Sequence, residues 1–206
     1  FKVIPNLPSL YDEPFADSSQ IPTYLVSKLA RQYVTVSLSG DAGDELFGGY
    51  NRYLWGGRVW NKLKWIPPIM RQNIGATIQK LPTSSWDMVG RLLPNKYKVS
   101  SMGSKAHRMA YRLRKVNSLD DMYYSLVTEG FNEEDLVYNS DLILKTKLNE
   151  SNIVLDVDDS AHRMMLWDTL TYLTDDILTK VDRAAMGASL ETRIPFLDHR
   201  VVELAW

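Results

Sequence analysis

Cysteine is absent from the 206 residues. That excludes a disulfide framework, a thiolate metal site and a thiol nucleophile within this chain. Histidine is scarce: His107, His162 and His199 stand far apart, without metal-ligand spacing, and each reads as a structural or surface residue. An excess of charge is missing too. Lys and Arg number 24 against 25 Asp and Glu, a net charge of −1, so there is no electrostatic footprint for nucleic acid or an anionic membrane. No apolar run approaches the roughly 20 residues that span a bilayer. Neither an internal repeat nor a low-complexity tract is evident. The opening Phe-Lys-Val-Ile-Pro has no initiator methionine and no signal-peptide layout, and the close falls within the apolar stretch Val201–Trp206. Both ends are expected to be cuts in a longer polypeptide.

What is present suits one domain with a real core: hydrophobic residues make up 45% and charged residues 24%. The most informative passage is Ser39-Gly40-Asp41-Ala42-Gly43-Asp44-Glu45-Leu46-Phe47-Gly48-Gly49-Tyr50. It follows the β-branched run Val34-Thr35-Val36-Ser37-Leu38, which predicts a short buried strand with a glycine-rich turn at its carboxyl end. In an open parallel sheet, ligands sit at that edge. Glycines there let backbone N–H groups approach a phosphate, and carboxylates can hold a divalent cation. Helix is predicted to resume near Asp44, weakened locally by Gly48-Gly49 at roughly 1 kcal/mol per glycine against alanine.

Elsewhere the pattern is helical. Residues 1–20, rich in proline and acids, predict an extended loop, and a helix with Pro22 at its first position runs on to Tyr33. From Trp55 to Leu93 the residues Trp55, Trp60, Trp65 and Trp86 alternate with Lys62, Lys64, Arg71 and Lys80. Such a mixture can stack on single-stranded nucleic acid, but here the basic residues fall on the wet faces of helices and the aromatics supply packing. Polar residues 96–105 predict a mobile loop, while Ser118 and Asn132 mark helix starts. A long helix over Ala161–Met186, broken near Thr174, carries the stripe Trp167, Leu170, Leu173, Ile177, Leu178, Val181 and Ala185. Asp175 and Asp176 would cap and charge the new start. At 100° per residue, Lys180 and Asp182 flank the Ile177–Val181–Ala184 stripe and Arg183 points further away. A lysine so placed either projects its ammonium into a cleft or snorkels to water.

These residues carry a resemblance. The Ser39–Tyr50 run resembles the SGD/E-x-x-DE-x-FGGY signature of the synthetase domain of glutamine-dependent asparagine synthetases. Leu178-Thr179-Lys180-Val181-Asp182-Arg183-Ala184-Ala185-Met186, followed by Leu190-Glu191-Thr192-Arg193-Ile194-Pro195-Phe196-Leu197-Asp198, is similar to the LxKVDRxxM…LExRxPFLD block of that family. Asp12-Glu13-Pro14-Phe15-Ala16-Asp17 with Ile21-Pro22-Thr23-Tyr24 resembles the stretch preceding the signature. The likeness is specific over residues 7–53 and 160–206 and weak between them. It implies one partial synthetase domain over 1–206, with 54–159 helical and weakly matched. The parent fold would be α/β, a parallel sheet of the adenine-nucleotide hydrolase type, and this part of it predominantly α-helical with one or two strands.

The implied chemistry is adenylation of aspartate by ATP with Mg²⁺, release of pyrophosphate, and attack of glutamine-derived ammonia on the acyl-adenylate, in the cytoplasm. Ser39 and Gly40 match positions against the nucleotide, Asp44 a magnesium-binding carboxylate, and Asp41 the acid that takes a proton from ammonia. Lys180 matches the lysine facing the phosphates, with Asp182 and Arg183 as supporting partners behind it. Glu45 and Tyr50 match structural positions. Asp41 is one methylene shorter than the glutamate other members carry, so either direct contact or a bridging water would serve. The family's Ser-Gly-Gly-x-Asp-Ser pyrophosphatase loop does not occur in the 206 residues, nor does a cysteine for glutaminase chemistry. Those parts are expected partners from the same polypeptide, and a homodimer is left open. Relatives that close β-lactam rings, cyclise peptides or amidate sugar acids share the nucleotide-side motifs, and a non-catalytic module on this scaffold is the other alternative.

Overall fold

A computed structural model of the chain describes residues 3–92, 94, 101–128 and 157–206. The predicted helix start at Asn132 lies outside them, as do residues 96–100 of the predicted loop. The chain divides into two compact units, residues 1–50 with 147–206, and residues 51–146.

The first unit begins with a 3₁₀ turn, Ile4–Asn6, and helix α1, Leu7–Tyr11, where the sequence predicts an extended loop. Prolines stand within the first two positions of each element, where no helical N–H is lost. Helix α2, Gln20–Ala30, starts two residues before Pro22 and ends three before Tyr33. Its entry is set by Asp17, which accepts bonds from the Ser19 N–H at 2.8 Å and the Ser19 hydroxyl at 2.7 Å.

Strand β1, Val36–Leu38, pairs in parallel with β2, Glu191–Arg193, in the register Val36↔Glu191, Ser37↔Thr192, Leu38↔Arg193. Glu191 N–H to Thr35 C=O (3.0 Å) and Ser39 N–H to Arg193 C=O (2.9 Å) extend the ladder at both ends. The predicted burial of this strand does not hold, since Val36 is 41% and Leu38 74% exposed. Among the described residues the sheet has two strands, and no layer covers the face that bears these side chains.

Helix α3, Gly43–Phe47, follows the turn after β1. The helices of the second unit are α4, Asn51–Leu63; α5, Pro68–Lys80; α6, Thr83–Leu92; α7, Met102–Lys115; and α8, Leu119–Val127. Helix α7 packs against α5 and α6, and residues 102–105, predicted to be loop, form its first turn. Ser118 opens α8 with a complete capping box. Its hydroxyl accepts from the Asp121 N–H at 3.0 Å, and Asp121 accepts from the Ser118 N–H at 3.0 Å.

The reading of the aromatic–basic stretch holds in part. Trp86 donates its ring N–H to Ile78 C=O at 3.1 Å, but Trp55 and Trp65 are exposed. Arg71 is no wet-face residue: it is buried, donates to Val116 C=O and stands over the Trp60 ring at 5.8 Å.

The chain then supplies helix α9, Ser160–Leu170, a π-helical stretch Leu173–Leu178, and helix α10, Thr179–Gly187. Asp159 caps α9 by accepting from the N–H groups of Ala161 and His162. The predicted break near Thr174 is this π stretch, so Asp175 and Asp176 lie inside a widened turn and do not cap a new helix. Thr171 and Thr174 turn their hydroxyls back onto Trp167 and Leu170 carbonyls, local bonds that compete with the regular ladder. A 3₁₀ turn, Pro195–Leu197, and helix α11, His199–Ala205, close the chain. No helix among the described residues is long and apolar enough to cross a membrane.

One core cluster ties these parts of the first unit together. Ala42 and Leu46 pack with Leu173 and Ile177, and Tyr172, Leu178, Ile194, Phe196, Val202 and Ala205 surround them. Each fully buried large side chain contributes roughly 1.5–3 kcal/mol. The predicted stripe is the inner face, with Trp167, Leu173, Ile177, Val181 and Ala185 all buried.

Candidate functional site

The turn that leaves β1 is bent by Ala42, which is buried at φ 68°. The left-handed conformation costs an alanine about 1–2 kcal/mol, and packing of Ala42 and Leu46 in the core offsets it. Just before it, the Ser39 hydroxyl donates to the Asp41 carboxylate, and the Asp41 N–H approaches the Ser39 oxygen at 3.4 Å. The two predicted residues are therefore partners of each other. Gly40 is exposed beside them.

Asp44 points outward at the start of α3 and is exposed. Its carboxylate lies over Gly49, where an added methyl carbon would stand 1.9 Å from Oδ1. The Gly49 N–H donates back to Asp44 C=O at 2.9 Å. Glu45, on the other side of α3, is 1% exposed and accepts the Tyr50 hydroxyl at 2.7 Å. Burial first, then the bond to Glu45, raise the Tyr50 phenol well above its ordinary range. Its ring meets Tyr172 edge-on, with centroids 6.1 Å apart. Glu45 and Tyr50 thus brace the turn against the π stretch.

Lys180 sits at the start of α10, 8% exposed. Its ammonium does not run out to water. It binds the Asp17 carboxylate at 2.6 Å, and the Tyr11 hydroxyl donates to the Lys180 backbone carbonyl at 3.2 Å. Burial works to raise the Asp17 carboxyl, but the bonds from Lys180 and Ser19 prevail and hold it below the usual carboxylate range. Asp176, four residues before Lys180, is raised by burial and then by the charge of Asp17, with Lys180 and Tyr172 opposing. The same two carboxylates, after burial, raise Tyr11. Arg183 pairs with Asp12 at 3.0 Å in an exposed setting, and Asp182 is exposed.

The shared core brings the β1 turn and the approach to Lys180 together. Among the described residues, the ionic partner of Lys180 is Asp17, and neither Asp41 nor Asp44 is bonded to it. No group of three or more His, Cys, Asp or Glu that could hold a metal occurs among the described residues. The three histidines stay peripheral. His107 Nε2 lies 2.8 Å from Leu81 C=O, His162 stands beside Asp159, and His199 is exposed next to Asp198. The sequence reading missed the Tyr11–Asp12–Asp17 side of the site. Asp12 and Asp17 lie within one of the recognised stretches and Tyr11 just before it, but no spacing rule links position 17 to position 180.

Comparison with known proteins identifies the family. A family model described as asparagine synthase matches residues 1–206. The Bacillus subtilis protein named asparagine synthetase [glutamine-hydrolyzing] 1 is 31% identical over 210 residues, covering 98% of this chain and 29% of the relative. A Methanocaldococcus jannaschii protein named putative asparagine synthetase [glutamine-hydrolyzing] 2 is 34% identical over 181 residues, 86% of this chain and 30% of the relative. A Mycobacterium tuberculosis protein named putative asparagine synthetase [glutamine-hydrolyzing] is 31% identical over 205 residues, 98% of this chain and 28% of the relative. The chain spans less than a third of the length of these curated relatives. No solved structure matches it significantly. With the family model spanning the chain and its signature turn and lysine helix packed on one core, the chain belongs to the asparagine synthase family.

Proposed function

We propose that this chain is the carboxyl-proximal part of the synthetase domain of an enzyme that makes asparagine from aspartate with ATP. The observation that carries the reading is the core in which Ala42 and Leu46, beneath the acidic turn, pack with Leu173 and Ile177, one turn before Lys180. A carboxylate cannot become an amide at neutral pH until its oxygen is made a leaving group. The side-chain carboxylate of aspartate attacks the α-phosphorus of ATP and pyrophosphate departs. Ammonia then attacks the acyl carbon, AMP leaves, and a proton is lost from nitrogen.

Each proposed residue has a task in that sequence. Gly40 gives the nucleotide an open backbone edge, since a methyl carbon there would meet no atom of the described residues within 4 Å beyond its two chain neighbours. Ser39 orients the Asp41 carboxylate, which accepts the ammonia proton directly or through a water. Lys180 supplies positive charge for the departing pyrophosphate. Asp44 fits a magnesium site of the kind completed by substrate phosphates, because its carboxylate is exposed and such ions take only one or two protein carboxylates. Magnesium bound there would neutralise phosphate charge. The remaining phosphate donors, the ammonia source and a glutaminase half belong to the longer polypeptide.

The test is a panel of carboxylates offered to the whole synthetase with Mg·ATP. Pyrophosphate release that depends on aspartate and yields asparagine is expected. Release that depends instead on a sugar acid or a β-lactam precursor would assign the chain to another acceptor, and no release with any carboxylate would support a non-catalytic scaffold.

A further inference from the structure

Lys180 is a buried cation, and a buried cation needs a partner held in good geometry. Three contacts, all from residues 11–19, reach this one turn of α10. The Tyr11 hydroxyl bonds the Lys180 carbonyl at 3.2 Å, Asp12 pairs with Arg183 at 3.0 Å, and Asp17 binds the Lys180 ammonium at 2.6 Å. Asp17 is itself fixed, because the Ser19 N–H and hydroxyl both donate to it. A second carboxylate, Asp176, is close enough to feel both charges, but the bond is made to Asp17. Of the three donors on an ammonium, Asp17 occupies one and leaves two.

We propose that Asp17 is a positioning residue, whose carboxylate, anchored by Ser19, aims the Lys180 ammonium so that its two remaining donors meet the charge growing on the departing pyrophosphate. This rests on the reading of Lys180 as the lysine that faces the phosphates. Asp17 touches neither substrate nor reacting atoms and acts only through Lys180. Its loss therefore lowers the rate of the chemical step more than it weakens ATP binding. A longer carboxylate restores part of the effect. An asparagine is close to isosteric and can still accept from the ammonium, but it carries no negative charge, so the ion pair that fixes Lys180 is lost.

A double-mutant cycle in the whole synthetase tests this, with pyrophosphate release and thermal midpoint measured for Asp17→Asn, Asp17→Glu, Lys180→Met and Asp17→Asn combined with Lys180→Met. Asp17→Asn is expected to lower kcat about tenfold or more while KM for ATP moves less than about threefold, with Asp17→Glu recovering part of the loss. In the Lys180→Met background, Asp17→Asn should change the residual rate by less than about twofold. Equal losses in both backgrounds would overturn the proposal, since Asp17 would then act independently of the ammonium. So would a normal kcat in a folded Asp17→Asn protein. If Asp17→Asn fails to fold, Asp17→Glu carries the same cycle with the same two outcomes. A Lys180→Met protein with wild-type pyrophosphate release would mark a different failure, that of the catalytic reading of Lys180, and the positioning role would fall with it.

Discussion

At position 40 a methyl carbon would meet no described residue within 4 Å beyond its two chain neighbours, and the backbone there is not in the positive-φ region that favours glycine, which among the described glycines is occupied by Gly48. Among the described residues neither packing nor conformation requires a glycine at 40, whereas close approach of a nucleotide would. Gly40→Ala is therefore expected to leave folding intact, with a stability change below about 1 kcal/mol and in the favourable direction, through the less flexible unfolded chain. In the whole synthetase, KM for ATP should rise about tenfold or more. Unchanged nucleotide kinetics would move the phosphates away from this turn. The glycine–acid composition of 39–50 and the helical phase of Lys180 were legible from the sequence at this scale. The partner of Lys180 was not. A salt bridge between residues 17 and 180 is a tertiary fact, invisible to a 3.6-residue period. The Ser39–Asp41 bond likewise depends on the turn conformation set by Ala42.

Element boundaries followed their local signals where those were strong. Ser118 marked the start of α8 correctly, because the capping box it makes with Asp121 is a local device, satisfied within four residues. The loop predicted over 96–105 failed at its second half because α7 is held by tertiary packing, which overrides weak propensity. Gly103 is the residue that permits it. An added methyl carbon there would stand 2.2 Å from the Thr83 carbonyl oxygen of α6, a backbone atom that cannot step aside. Gly103→Ala gains up to about 1 kcal/mol in helix propensity but forces α6 and α7 apart, at a cost of about 1–3 kcal/mol. Net destabilisation in a denaturant titration is expected, and a stability equal to wild type would show that the helices do not meet there. The π stretch was visible only as a break near Thr174. Its widened turn arises from threonine hydroxyls competing for backbone carbonyls, which composition alone does not specify.

Across the whole molecule, the sequence pointed to a mostly helical chain with one or two strands from an α/β parent. The structure has eleven α-helices and one parallel strand pair among the described residues. The burial of β1 was misjudged, because the β-branched run Val34–Leu38 is built for a sheet face that no described residue covers. Composition set the bounds: with no cysteine among the 206 residues, a thiol nucleophile does not lie within them. On the reading proposed above, the acidic turn and the lysine helix, packed on one core, serve an acyl-adenylate reaction. The most direct measurement follows oxygen through the whole synthetase, using aspartate labelled with oxygen-18 in its side-chain carboxylate. If the carboxylate attacks the α-phosphorus, the labelled oxygen bridges to AMP and leaves with it when ammonia forms the amide. The account predicts label in AMP and none in pyrophosphate. Label in inorganic phosphate, with ADP as the nucleotide product, would mean an acyl-phosphate route and would contradict it.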